Sequence, residues 1–320
     1  MMSVNDFSYK QIVFLTTIEK EKLSFKNDNI VITNKEGKII HQSTCYRLFA
    51  IFIVGHITIT SGLIERAKKF GFSIVLLSTT FRINGIIGNN AEANVLLRKK
   101  QYEYADLLAA KKIIENKIQN QINVLKQNRR KSDYTKETIK NLSIYIDTLS
   151  KADSIQSVMG IEGNASRQYF KAHFDNIVWE KRSPRTKIDM VNALMDIGYT
   201  ILFSYVEAIV SLFGFDKYIG VLHRQFYMRK SLICDLVEPF RCIIDFQIKK
   251  SINLCQFKEE DFEIYNDKWC LKYSKSSQYS AVYLTAINQY KQEIYTYIRD
   301  FYRSMMKGTV ETSFPKWEYQ

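Results

Sequence analysis

The sequence predicts an α+β protein, with an N-terminal β-rich domain followed by a mainly α-helical catalytic domain. Three observations predict it. Residues 1–90 hold short runs of β-branched and aromatic residues separated by turn-formers. Beyond them, apolar residues recur at helical spacing with Lys and Gln between them. Between the two patterns, Gly88-Asn-Asn supplies a turn. At 320 residues and 46% hydrophobic the chain is long enough for two cores and unlike a disordered chain.

The elements follow in order. Residues 11–17 form an apolar, β-rich run. Leu23-Ser-Phe25 leads through the turn-prone Asn27-Asp-Asn29 into residues 30–33, and Lys35-Glu-Gly37 precedes Ile39-Ile40. Further strands are predicted over 49–53, 56–60, 74–77 and 82–87, with one helix over 61–70. The domain boundary is placed at residues 89–93. Past it, Ile114, Ile118, Ile122 and Leu125 mark the seam of a long helix, and residues 127–133 read as a solvated connection to the next. Helices are also predicted over 151–177 and 192–215. This divides the chain into residues 1–90, 91–306 and a non-helical tail, 307–320. The tail aromatics Phe314, Trp317 and Tyr319 either anchor in a partner or fold back onto the helical domain.

Composition narrows the function. A formal charge of +13 and a pI near 9.3 point to a polyanionic partner. The N-terminus has no signal-peptide pattern. The stretch 197–215, of nearly membrane-spanning length, contains Glu207, Tyr199 and Tyr205 and reads as a helix buried in protein, so no membrane role is expected. Five cysteines without CxxC spacing fit reduced thiols in a cytoplasmic protein. There is no GxxxxGK[ST] loop to suggest ATP use.

Several residues stand out as candidates for chemistry. In the helix over 151–177 the apolar stripe runs Ile155, Met159, position 162, Tyr169, Phe170, Phe174 and Ile177, so Glu162 stands where a hydrophobe is expected. Such a carboxylate is bound to a metal or paired with a buried Arg or Lys. His223, just after Gly220, lies on a connection between helices and is a metal ligand or a structural histidine; His173 lies about three turns beyond Glu162, out of reach. Asp235 and Glu238 read as a capping box with Asp235 as N-cap, or as an acidic pair on one helical turn facing a metal. The basic and aromatic run Arg224, Phe226, Tyr227, Arg229 and Lys230, the run with Arg182 and Arg185, and Arg241 are candidate phosphate contacts or exposed helix connections. Two carboxylates and an imidazole from separate segments suit Mn²⁺ or Mg²⁺ in phosphoryl transfer on nucleic acid.

Three motifs in order, GIEG at 160–163, GVLH at 220–223 and DLVEPFR at 235–241, resemble the CRISPR-associated integrase family, and the resemblance extends over nearly the whole chain. It implies that Glu162, His223 and Glu238 hold a catalytic divalent metal, with Asp235 as an adjacent acidic partner. It implies a DNA endonuclease and transesterase that joins the 3′-hydroxyl ends of captured short duplex DNA to a CRISPR array. It also implies homodimers paired through the β-rich domains and joined by a small companion of ferredoxin-like fold. The pattern looks closest to the integrases accompanying type V effectors. A metal-dependent nuclease of branched DNA and a non-enzymatic nucleic-acid scaffold are the rival readings.

Overall fold

The computed structural model describes the chain except residues 1–2, 19, 89–93, 105–106, 129–130, 224–225 and 311. The domain boundary expected at 89–93 therefore lies outside the described residues. A short helix the sequence reading lacked, α1 (Val4–Ser8), opens the chain; Ser3 and Asp6 cap it reciprocally. The main sheet has the order β1-β5-β6-β7, built from β1 (Gln11–Thr16), β5 (Leu48–Val54), β6 (Ser73–Leu77) and β7 (Ile83–Ile87). β5 runs parallel to both β1 and β6, and β7 is antiparallel to β6. Every residue of β5 is buried, which explains its unbroken apolar run. The helix α2 (Ser61–Phe70) is the crossover from β5 to β6, as its predicted span requires.

A second, antiparallel sheet contains β2 (Lys22–Lys26), β3 (Asn29–Thr33) and β4 (Ile39–Thr44). Asn27 and Asp28, both at positive φ, make the two-residue turn joining β2 to β3. The strand predicted at 56–60 does not form. Gly55 takes a φ of +112° and turns the chain out of the sheet, so those residues cross to α2 without a pairing partner.

The helical part holds α3 (Val95–Glu103), α4 (Leu107–Gln127), α5 (Asp133–Ser150), α6 (Ile155–His173), α7 (Met190–Phe213), α8 (Ser231–Val237), α9 (Arg241–Asn253), α10 (Ser276–Gln289) and α11 (Lys291–Lys307). A hairpin of β8 (Phe262–Tyr265) and β9 (Lys268–Leu271), not anticipated from sequence, precedes α10. α7 is long and apolar enough to cross a membrane, yet it is buried within the protein and packs on α8, α9, α10 and α11. Its buried Glu207 is paired with Lys230 at 2.6 Å and Lys217 at 3.1 Å, which removes the cost of an isolated charge.

The buried stripe of α6 runs Val158, Ala165, Tyr169 and Ala172; it shares Tyr169 with the predicted stripe but has Val158 in place of Met159, which is exposed. Position 162 lies on the observed stripe as well, four residues after Val158 and three before Ala165. The tail folds back. Trp317 and Tyr319 are buried, and Phe314 packs on Tyr297 and Phe301, so these aromatics are spent on the chain's own core and do not stand free as partner anchors.

His173, at the end of α6, is fully buried with Nε2 3.0 Å from the Asp245 carbonyl, and burial pushes its pKa down to about 3. The unfolded chain takes up a proton near pH 6.5 that the folded chain refuses. His173 thus makes stability fall as pH drops from about 6.5 toward 3, by at most about 1.4 kcal/mol per pH unit. Replacing it, as in His173→Gln, is expected to flatten that part of a stability curve measured by urea unfolding across the window; an unchanged slope would refute this.

Candidate functional site

Glu162 extends from α6 toward α4, where the buried Lys117 meets it in an ion pair. Ser166, one turn on, donates to the same Glu162 oxygen at 2.7 Å. The other side of the Lys117 ammonium faces Glu238, at 2.7 Å, so two carboxylates from distant segments converge on one cation. Arg241 reaches back to Glu238 from the next turn at 3.0 Å. Burial opposes ionisation of Glu238, but the Arg241 guanidinium and the Lys117 ammonium outweigh it and hold its pKa at about 2. For Lys117 burial likewise works against the charge, and Glu162 and Glu238 reverse the balance, raising its pKa. Glu238 and Lys117 are therefore a charged pair at neutral pH.

The capping-box reading of Asp235 does not hold. α8 begins at Ser231, which puts Asp235 inside the helix. Its side chain is fully buried and turned against the loop before α8, where it accepts hydrogen bonds from the amides of Val221 at 2.6 Å, Leu222 at 3.1 Å and His223 at 3.0 Å. It also accepts from His223 Nδ1 at 2.7 Å, since an ionised carboxylate can only accept. In a neutral ring this contact places the proton on Nδ1 and leaves Nε2 as the acceptor nitrogen, the arrangement that second-sphere carboxylates give to metal-binding histidines. Gly220 makes the loop possible, because a Cβ there would stand 2.5 Å from Asp235 Oδ2 and 2.8 Å from the Ser231 carbonyl carbon. Glu238 follows α8 in a single 3₁₀ turn, Glu238–Phe240, that leads into α9.

Lys117, Glu162, His223, Glu238 and Arg241 line one cleft of about 1750 Å³, bordered by residues 80–82 of the β6–β7 connection and 83–85 at the start of β7. The sequence-predicted ligands are thus in one cleft. Among the described residues no three His, Cys, Asp or Glu side chains stand close enough to hold a metal ion; the Lys117 ammonium stands between the two carboxylates. Of the candidate phosphate contacts, Arg185 is exposed at the rim and Arg229 is half-buried in the lining. Arg182 is bound by Asp196 at 2.6 Å and Asn192 at 3.0 Å, Lys230 by Glu207, and Arg241 by Glu238, so these three are committed to internal ion pairs. Arg224 lies outside the described residues. Phe226, Tyr227 and Met228 stand exposed beside the cleft.

Sequence reasoning missed Lys117 and Ser166. Lys117 is one of the lysines between the apolar positions of the first long helix, and it sits three residues after Ile114 and one before Ile118, inside the apolar seam. A lysine within a seam was the available signal. Asp245 was also missed: it is buried beside the site on α9, accepts from the Tyr199 hydroxyl, and burial raises its pKa to about 6.

Two carboxylates and an oriented imidazole thus stand around one cleft, and comparison with known proteins supplies the family. The family model described as CRISPR associated protein Cas1 matches residues 15–284, and the chain belongs to that family. A CRISPR-associated endonuclease Cas1 from Thermodesulfovibrio yellowstonii is 32% identical over 208 residues, an alignment covering 61% of this chain and 65% of that protein. One from Moorella thermoacetica is 30% identical over 247 residues, covering 71% of this chain and 72% of the relative. Among solved structures, a CAS1 protein from Thermotoga maritima superposes with a TM-score of 0.80 at 20% identity, over 96% of this chain and 100% of its own. A casposase bound to integration product gives 0.80 at 18%, over 97% and 94%. A Cas6-RT-Cas1–Cas2 complex gives 0.80 at 22%, over 98% of this chain and 37% of that one. At these identities the structural likeness is one of fold.

Gly220→Ala tests how the His223 loop is built. The added methyl forces the loop off Asp235, and a loss of about 1–3 kcal/mol is expected from the strain and the broken hydrogen bonds. Chemical denaturation measures the loss. Nitrogen chemical shifts of the His223 ring should move away from the pure Nδ1–H form; retention of that form with wild-type stability would contradict the argument.

Proposed function

We propose that this protein is a metal-dependent DNA endonuclease and integrase of CRISPR adaptation, joining the 3′-hydroxyl ends of captured DNA to a CRISPR array by transesterification. The observation that carries the reading is the convergence of Glu162 and Glu238 on one buried cation beside a carboxylate-oriented His223. The carboxylates of Glu162 and Glu238 and the oriented imidazole of His223 fit Mn²⁺ or Mg²⁺, and the place between the carboxylates already accepts positive charge. Glu162, His223 and Glu238 would hold the ion, and Lys117 would give way to it. The ion would supply Lewis-acid charge to a phosphate oxygen and to the departing oxygen.

The remaining work falls to the chain's own groups. Asp235 keeps His223 in one tautomer and orientation. Were an ion held there, Lys117 would be freed to meet a non-bridging phosphate oxygen, and Arg241 would keep its hold on Glu238. Arg185 and Arg229 at the cleft contact flanking phosphates, and the exposed Phe226 and Tyr227 stack on a base beside the target. An incoming 3′-hydroxyl held in line exchanges one phosphodiester for another, so no external energy source is needed.

The partners in this reading are DNA, as short duplex and array, a second copy of the chain paired through the residue 1–90 domain, and a small companion protein. Similarity of fold to a Cas1–Cas2-containing complex and to a casposase bound to integration product supports the companion and the DNA. The helical region 91–306 would carry the chemistry in the cytoplasm. A purely hydrolytic nuclease is the second reading, favoured by the endonuclease names of the relatives.

The test is incubation with a labelled short duplex and a supercoiled array plasmid in Mn²⁺ or EDTA. Label joined to plasmid in Mn²⁺ is expected; cleavage without joining selects the second reading, and metal-independent activity rejects both. Glu162→Ala, His223→Ala and Glu238→Ala should each lower joining by at least about 100-fold, with double variants little worse, because ligands of one ion act as a unit. Joining at the wild-type rate by any of them would reject the assignment. DNA binding should survive EDTA yet weaken at least about tenfold between 50 and 200 mM salt, as expected when a few phosphate contacts carry affinity; salt-independent affinity in a filter-binding titration would rule that footprint out.

A further inference from the structure

We infer that the C-terminal segment around Trp317 and Tyr319 is a positioning element for the Glu238 turn, so that the last residues of the chain set the geometry of the site. The inference rests on the reading of Glu238 as a site carboxylate. α4 is the shared support. One row of its side chains, Lys117 and Gln121, faces α6, where Lys117 meets Glu162 and Gln121 reaches Ser166 at 3.5 Å. A second row, Asn116, Asn120 and Asn123, reads the backbone of the tail.

Asn116 makes a two-point bond with Trp317, donating to its carbonyl at 2.5 Å and accepting from its amide at 3.1 Å. Asn120 accepts from the Tyr319 amide at 2.9 Å and donates to the Trp317 carbonyl at 3.1 Å. The same Asn120 amide donates to the Pro239 carbonyl at 3.0 Å. Asn123 donates to the Tyr319 carbonyl at 3.2 Å. Alternate tail residues are thus bonded as a strand is bonded to a neighbouring strand, with asparagine side chains in place of the neighbour's backbone.

Pro239 and Phe240 are the two residues that follow Glu238 in its 3₁₀ turn. The Trp317 ring lies on Phe240 at 4.8 Å between centroids, with Tyr297 against its other side at 5.2 Å. Tyr319 contacts Phe246 of α9 at 5.8 Å. A turn between two helices lacks the continuous ladder that holds a helix residue in place, and Pro239 has no amide hydrogen to contribute. The turn's direction is therefore set by what grips it. Here the Asn120 amide grips its carbonyl and Trp317 grips its ring. Buried asparagines are costly unless bonded, and the tail satisfies the buried Asn116 and Asn120 together, with the half-buried Asn123 beside them. Without it the turn loses one wall, and Glu238 and Arg241 lose their fixed distance from Glu162 and His223. Trp317 and Asn120 are positioning residues in this account; neither faces the cleft.

The experiment compares full-length wild type, Trp317→Ala, Trp317→Phe and a control, Leu63→Ala, whose buried side chain lies in the separate core cluster of the β-rich region. Each is assayed well below its own melting temperature, with amide hydrogen exchange followed at residues 237–241. For Trp317→Ala we expect exchange at 237–241 to rise at least tenfold. Its Mn²⁺-dependent DNA joining should lose at least tenfold in kcat, with KM for DNA unchanged. Trp317→Phe should restore both, and Leu63→Ala should lower Tm without either change. If Trp317→Ala lowers Tm but leaves exchange at 237–241 and kcat as in Leu63→Ala, the tail is ordinary core and the inference is overturned. Should wild type show no metal-dependent joining or cleavage, the proposed function fails by itself. The exchange comparison then still decides whether the tail holds the turn.

Discussion

A lysine ammonium sealed between two carboxylates is the interaction on which the rest of this structure depends. Lys117, Glu162 and Glu238 come from α4, α6 and the turn after α8, three segments that nothing local brings together. Removing one partner of such a buried set leaves an uncompensated charge, at a cost typically of about 3–5 kcal/mol. Packing and function therefore coincide. The charges that hold the segments in register are the ones that line the cleft.

The second constraint is the loop before α8. Asp235 spends all its accepting capacity on three consecutive amides and one imidazole, so loop, helix and histidine form one rigid unit. Asp235 orients the His223 ring by committing one of its two nitrogens. The tail and the asparagine row of α4 extend the same logic to the Glu238 turn.

Where the positive charge goes also divides by tertiary context. The chain carries 46 Lys and Arg against 33 Asp and Glu, an excess that the sequence alone reads as a nucleic-acid footprint. The fold spends part of it internally. Arg182, Lys230 and Arg241 neutralise Asp196, Glu207 and Glu238, while Arg185 remains exposed at the cleft. Nothing in the local sequence separates Arg182 from Arg185, three residues apart, because the difference is whether α7 happens to present a carboxylate to one of them.

Local signals carried much of the architecture. Periodicity placed α2 and α7 and most strands nearly to the residue, because alternation and helical spacing record which face is buried. Glu162 stood out because it interrupts an apolar stripe, whereas His223 and Glu238 each kept a structural reading on the residues alone and were singled out by the resemblance of their motifs. Sequence also left open whether Glu162 pairs with a basic residue or a metal, whether Asp235 caps a helix, and whether the tail aromatics face outward. The structure decided the last two, against the cap and against the free tail. Lys117 showed only as a lysine within an apolar seam, and the roles of Lys117 and of the α4 asparagines could not be read because their partners are contributed by segments 45 or more residues away. A short-range pattern records which residues share a face of their own element, and only the packing of distant elements determines what that face meets.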